Sequence, residues 1–498
     1  MTSGITIVGL GPGPAEGVSR EGWRALEEAA VVCLRTLRHP AAAEVDAMRA
    51  CQSFDALYES AETFEQVYDE IVRRVLALGA GPGGVAYAVP GDPMVGEATS
   101  TPLIEGARAA GLPLRIVHAA SFLEPMLELI GVDAMDNLQI ADGLALGRSH
   151  YPALVPDHPA LIGQVFSRMV ASELKLTLLA QYPANHPVTV VSDAGQTTAS
   201  ARTMDLESLD RSEAFSHATT VYVPALGTTS SFESFQETIA HLRAPEGCPW
   251  DREQTHESLR PHLMEEAYET LDAIDRGQAA ALREELGDLL LQVVLHAQIA
   301  SEAGDFTMSD VIAAIQAKIV RRHPHVFGEV EVGGVDEVLH NWEDLKAAER
   351  AQAGQDRGAL DGVPLSLPAL AQAMEIQARA RRVGFDWPSL EGVRGKIGEE
   401  LEEVDGASGG ASLEAEIGDL LFAVVNYARW SDVDPESALR ASNARFRRRF
   451  GWMEAQARRA GRTLSSMTAD ELDALWEAAK AADPGQGEGT ASADLKAG

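Results

Sequence analysis

The chain lacks most of what marks a secreted or membrane-bound protein. Its 498 residues include only three cysteines, Cys33, Cys51 and Cys248. They stand far apart and form no Cys-x-x-Cys or Cys/His spacing. Neither a disulfide framework nor a zinc site is expected, and a reducing cytoplasm is the natural setting. Cys248 reads as a structural thiol rather than a nucleophile. No run of about 18 uncharged apolar residues occurs, so no helical membrane span is predicted. The opening MTSGITIVGLG has neither the basic nor the apolar region of a signal peptide. Positive charge is scarce as well: 41 Lys and Arg stand against 75 Asp and Glu, a formal net charge of −34. That balance argues against nucleic acid or an anionic membrane as partner. It suits a protein whose acidic sites hold cations.

The length predicts about two to four domains, and their character changes along the chain. Up to about residue 225, strand alternates with helix. ITIVGLGPG is a β-branched strand entering a glycine-rich turn, EGWRALEEAA a helix, VVCLR and GGVAYAVPGDP further strands. This alternation implies a mostly parallel sheet, with ligands expected at the carboxyl ends of its strands. Gly9, Gly11 and Gly13 would let a ligand approach backbone. They do not complete GxGxxG, so a dinucleotide site is disfavoured. The later HPVTVV and TTVYVP should join a mixed sheet. The stretch DNLQIADGLALGRSHYPALVPDHP could form part of an acceptor pocket, although His150, Tyr151 and His158 read as surface residues.

The second half is helical and internally repeated. Glu265, Glu266 and Glu269 are followed by Glu285 and Asp288; about 130 residues on, Glu399, Glu400 and Glu403 are followed by Glu416 and Asp419. Residues three apart share a helix face, so each copy offers two helices with a carboxylate stripe. ELGDLLLQVVLHAQIA and EIGDLLFAVVNYA are apolar nearly all round, which predicts that Asp288 and Asp419 are buried. Buried unpaired carboxylates are costly, and an all-oxygen set favours Mg²⁺ or Mn²⁺. The alternative is a set of solvated helix charges.

Each copy continues into a basic stretch: Lys318, Arg321 and Arg322 in the first, Arg445, Arg447, Arg448 and Arg449 in the second. Complement to a helix C-terminus is one reading; phosphate contact is the other, and is favoured in the second copy. Ser309 or Asp310 is expected to cap the helix that follows DFT. Trp250 reads as a packing residue.

The carboxylate pattern, with Cys248–Asp251 (CPWD), Arg321–Phe327 (RRHPHVF) and Trp-Glu-x-x-Lys at Trp342–Lys346 and Trp476–Lys480, resembles the MazG nucleoside triphosphate pyrophosphohydrolases from about residue 231 to 483. The resemblance implies hydrolysis of nucleoside triphosphates to the monophosphate and pyrophosphate, with homodimers or larger homo-oligomers. It implies that Glu400, Glu403, Glu416 and Asp419 hold the metal, as Glu265, Glu266, Glu269, Glu285 and Asp288 would in the first copy. Glu399 would act as base or hold a further ion; Lys396, Arg445, Arg448 and Arg449 would neutralise charge on the phosphates, and Trp476 would lie against the nucleotide. The first copy has His262 where the second has Lys396, which puts its turnover in doubt.

GxGPG at Gly9–Gly13, PGDP at Pro90–Pro93 and SFLEP at Ser121–Pro125 resemble the tetrapyrrole methylases. That resemblance implies S-adenosylmethionine between two α/β subdomains, with Gly91, Asp92, Pro93, Ser121 and Phe122 on cofactor loops. The expected fold class is multidomain α/β plus all-α. A methylase-like domain over 1–226 is followed by helical modules over 232–350 and 362–483 and a disordered tail over 484–498. Two other functions remain open: a bifunctional enzyme whose methylase half is active, and a non-catalytic nucleotide sensor.

Overall fold

A computed structural model describes residues 3–483, apart from 213–214, 336, 339–340, 343–344, 346–357 and 408. The tail expected to be disordered, and Lys346 of the first Trp-Glu-x-x-Lys, lie outside the described residues. The chain divides into two compact units, Met1–Arg252 and Glu253–Gly498.

The first unit holds two five-stranded sheets. One is wholly parallel, in the order β3-β2-β4-β1-β5, from β1 (Ile5–Gly9), β2 (Val31–Leu34), β3 (Gln52–Ser53), β4 (Val85–Val89) and β5 (Leu114–Val117). Helices such as Arg20–Glu28 and Phe64–Gly79 return the chain between strands, as parallel pairing requires. Ile7, Val8, Val32, Leu34, Ala86 and Tyr87 are buried, which suits strands covered on both faces. The second sheet is mixed, in the order β6-β7-β10-β8-β9, from β6 (Gln139–Asp142), β7 (Ala160–Gly163), β8 (Pro187–Ser192), β9 (Ser200–Asp205) and β10 (Thr219–Val223). Only β6 and β7 pair in parallel.

The helix Phe232–Arg243 belongs to this first unit. Ser231 caps it by accepting from Ser234 N, and Asp157 accepts in turn from Ser230 N, Ser231 Oγ and Ser234 Oγ at 2.6–2.8 Å. GTTSSFES therefore does more than link: its last residues start a helix fastened to the loop before β7.

The second unit is helical throughout its described residues. Two hairpins carry the carboxylates. The first pairs Arg260–Arg276 with Ala279–Ala303, the second Leu390–Gly406 with Ala411–Trp430. Gly277 sits at φ +64° and closes the first helix by donating to Ala273 and Ile274; Gly409 and Gly410, at +85° and +64°, make the second turn. Such backbone is readily open only to glycine, and turns this short force the helices antiparallel. Behind the first hairpin runs Met308–Arg322. Its cap is Thr307, in a capping box with Asp310, not Ser309 or Asp310 as expected. The threonine wins because Asp310, three residues on, reaches back to its N–H.

Candidate metal and nucleotide site

In the first hairpin Glu266, Glu285 and Asp288 each bring one carboxylate oxygen within 4.8 Å of the others; in the second, Glu400, Glu416 and Asp419 do the same. The i, i+3 spacing of Glu285 with Asp288, and of Glu416 with Asp419, turns both acids of each return helix toward its partner. Glu265, Glu269, Glu399 and Glu403 stand outside these sets of three, but each lies within electrostatic reach of a neighbouring carboxylate. The Glu285 carboxyl is raised by loss of water and then by the charge of Glu269. Glu403 is raised by loss of water and then by Glu400, with Lys396 opposing. Glu266 is raised by burial and then by Asp288 and Glu269.

Burial differs from expectation. Neither Asp288 nor Asp419 is buried, and Leu286, Leu290 and Val293 on the same helix as Asp288 are 39–50% exposed. An apolar helix buries all its faces only if something covers each of them, and here these side chains remain open. The buried acid is instead Glu400, 5% exposed. Its Oε1 takes an ion pair from Lys396 at 2.7 Å, while its Oε2 is buried without a hydrogen-bond partner. An orphaned oxygen beside two more carboxylates is the donor set a hard divalent cation fits.

The two hairpins differ at one neighbour. Lys396 Nζ lies 2.9 Å from Glu399 and 2.7 Å from Glu400, and both contacts raise its pKa, Glu400 first. In the first hairpin His262 Nδ1 is 3.7 Å from Glu265, and Glu266 is only partly buried.

A salt bridge that sequence reasoning missed anchors the second hairpin. Arg429, 9% exposed, donates to both oxygens of Asp386 and to Asn426. Asp386 precedes the carboxylate helix, so the pair docks that helix's entry loop on its partner. Burial alone would raise the Asp386 carboxyl, but hydrogen bonds led by Arg429 hold it below its ordinary value. A lone Asp in a loop carries no signal for a partner 43 residues away.

The arginines of the second copy sit in the middle of the 25-residue helix Pro435–Arg459. Complement to a helix C-terminus, which acts over the last turn, therefore does not explain them. Arg448 and Arg449 are held by Asp483 at 3.4 and 3.0 Å. Trp476 packs on Phe446 at 5.3 Å between ring centroids, and Phe446 stacks on Phe450 at 5.8 Å. Phe446 is 56% exposed, leaving an aromatic surface beside the basic stretch. In the first copy Arg321 and Arg322 do end their helix, and Arg322 lies over the Trp342 ring.

In the first unit a cavity of about 830 Å³ is lined by Pro12, Gly91, Gly96, Phe122, Gly163 and Gln164, among others. Gly11 and Gly91 pair backbone to backbone at 3.2 and 2.8 Å, joining the turns after β1 and β4. Gly91 has φ +65°, and nothing stands within 3.9 Å of where a Cβ would be. Gly9 and Gly13 serve the fold instead: a Cβ there would meet Gly91 O at 2.7 Å and Gly195 O at 2.5 Å. Asp92 and Ser121 are buried and engaged by His118 and Glu124; neither they nor Pro93 line the cavity. Ile140, Ala141 and Asp142 of the expected acceptor stretch do line it, while His150, Tyr151 and His158 do not. Arg35 also lines it, its guanidinium 5.0 Å from the rings of both Tyr58 and Tyr68 and its Nε on Glu97. Its place just past β2 was the available signal. Trp250, expected to pack, is 57% exposed.

Residues 254–327 match the family model of the MazG nucleotide pyrophosphohydrolase domain, and residues 4–210 that of the tetrapyrrole (corrin/porphyrin) methylases. An uncharacterized protein of Bacillus subtilis, YabN, is 39% identical over 489 residues, 96% of this chain and 99% of that protein. The nucleoside triphosphate pyrophosphohydrolase/pyrophosphatase MazG of Thermotoga maritima is 48% identical over 253 residues, 51% of this chain and 96% of its own length. A nucleoside triphosphate pyrophosphohydrolase of Escherichia coli is 46% identical over 248 residues, 49% of this chain and 94% of its own length.

Proposed function

The chain belongs to the MazG nucleoside triphosphate pyrophosphohydrolases, with a tetrapyrrole-methylase domain in the same polypeptide, and from that premise we propose that its second hairpin cleaves nucleoside triphosphates to the monophosphate and pyrophosphate. The observation that carries this choice is Glu400: a buried carboxylate with one orphaned oxygen, set against Glu416 and Asp419.

Glu400, Glu416 and Asp419, with Glu403 beside them, would hold Mg²⁺ or Mn²⁺. When bound, such an ion would supply Lewis-acid chemistry, lowering the pKa of an attacking water. Glu399 would serve as general base toward the attacking water or hold a further ion. Lys396, Arg445, Arg448 and Arg449 supply positive charge for the phosphates, and the Phe446–Trp476 surface offers a face for the base. The first hairpin repeats the carboxylates without the lysine. We assign it metal binding without turnover, as one of two tandem modules over 232–350 and 362–483.

Exposed Leu286, Leu290 and Val293 in the first hairpin, and Leu421, Phe422 and Val424 in the second, support a homodimer in which a second copy covers them. No described helix is long and apolar enough to cross a membrane, and all three cysteines are free; we place the protein in the cytoplasm. In the first unit, the open face of Gly91 on a cavity of this size supports S-adenosylmethionine as ligand. This is the observation that keeps a second, methyl-transferring activity in view.

A panel of nucleoside triphosphates with Mg²⁺, scored for pyrophosphate against single-phosphate release, tests the assignment. Pyrophosphate is expected. Single phosphate, or nucleotide bound but uncleaved, contradicts it.

A further inference from the structure

The two hairpins carry the same acids but different cations. In the second, the Lys396 ammonium touches Glu399 and Glu400 together. In the first, His262 stands at that position, its Nδ1 3.7 Å from Glu265. Glu400 is the one buried member of either carboxylate set, and a buried carboxylate needs a positive neighbour. Lys396 neutralises one of its oxygens; the other, with Glu416 and Asp419 close by, has no donor. The acids are thus half compensated.

We propose that Lys396 is the resident counter-cation of the second carboxylate set: a divalent ion displaces it, and the freed ammonium then contacts the triphosphate. This rests on the reading of that hairpin as the metal and triphosphate site. The geometry makes the exchange a local one. Lys396 stands three and four residues before its partners on one helix, so both ion pairs depend only on its own side-chain rotamers. Its side chain is 32% exposed while that of Glu400 is 6% exposed. The ammonium therefore sits at the mouth of the site, with the acid behind it, and has solvent to move into. An ion that contacts Glu400, Glu416 and Asp419 takes over the charge Lys396 was balancing and repels the ammonium. A lysine suits this role better than an arginine, since its charge is compact and its stem flexible.

The consequence is an ordered site. Before the metal binds, the lysine is committed to the acids and gives little to phosphate; afterwards it is free to do so. In the first hairpin His262 stands where the second has Lys396, so this lysine exchange has no counterpart there.

The test is amine acylation of the full-length protein, with modification at Lys396 read by peptide mass spectrometry. Mn²⁺ binding is measured on the same samples by electron paramagnetic resonance. Both are done on wild type and on Glu266→Gln, which leaves the second hairpin as the intact carboxylate set. Lys396 should acylate slowly without divalent ions and several-fold faster with saturating Mn²⁺. It should slow again when a non-hydrolysable triphosphate is added. Lys396→Gln should bind Mn²⁺ several-fold more tightly at the second hairpin, because the competitor is gone. Mn²⁺ bound by Glu266→Gln with Lys396 acylation unchanged overturns the exchange and leaves the site standing. Absence of Mn²⁺ binding in that variant, with binding in wild type, overturns the reading of the site itself.

Discussion

Arg449 Nε lies 3.0 Å from Asp483, which closes the helix carrying Trp476 and also takes Arg448 at 3.4 Å. One carboxylate, 6% exposed, thus ties the basic stretch of one helix to the helix that presents the aromatic surface. It fixes two of the arginines assigned to phosphate before any nucleotide arrives. Asp483→Asn should leave the helical circular dichroism unchanged and raise KM for the triphosphate several-fold, with a smaller change in kcat. An unchanged KM would mean that the tether does not serve binding.

The acid clusters make stability depend on pH and metal together. Burial and neighbouring carboxylates raise Glu266, Glu285 and Glu403 above the ordinary glutamate value. A carboxyl raised on folding binds more protons folded than unfolded, so its penalty is absent below the unfolded pKa. The penalty grows as pH rises through the folded one. A divalent ion removes that penalty only where the acids are ionised. Added Mg²⁺ should therefore raise the melting temperature more at pH 7.5 than at pH 5; an equal gain at both, followed by calorimetry, would contradict the clustering.

Gly91 separates backbone need from ligand approach. A side chain at φ +65° costs about 1 kcal/mol, and the space before it is open. Gly91→Ala should fold, lose roughly that much stability, and lose the saturable heat of S-adenosylmethionine binding. Full retention of that heat would place the ligand elsewhere.

Ser231, 4% exposed, caps the helix Phe232–Arg243 and bonds to Asp157. Ser231→Ala should cost about 1 kcal/mol, the usual loss of a capping hydroxyl, seen as earlier thermal unfolding of the first unit. No shift would show the helix to be held by other contacts.

The parts legible in the sequence were those with a local period. Short apolar runs entering glycine-rich turns marked β1 and β4, and three-residue spacing marked the acids that meet in each hairpin. What periodicity cannot tell is whether an apolar face has a cover. Asp288 and Asp419 were expected inside because their helices are oily all round, yet part of each helix surface stays uncovered, and Glu400 is the acid that ends up buried. Long-range partners were equally hidden: Asp386 with Arg429, Asp483 with Arg449, and Asp157 with Ser231 pair residues 34 to 74 positions apart. Capping was placed a little too late in the chain: Ser309 or Asp310 was expected as the cap, whereas Thr307 is the cap and Asp310 its partner.

The most direct measurement is pyrophosphate release with Mg²⁺ from two single variants, Glu400→Gln and Glu266→Gln. These change the same position of the repeated pattern, one beside Lys396 and one without it. Activity should fall by a factor of at least about a hundred in Glu400→Gln, the usual order for loss of a group that stabilises transition-state charge, and stay within a few-fold of wild type in Glu266→Gln. Equal loss in both, or retained activity in Glu400→Gln, would contradict the account.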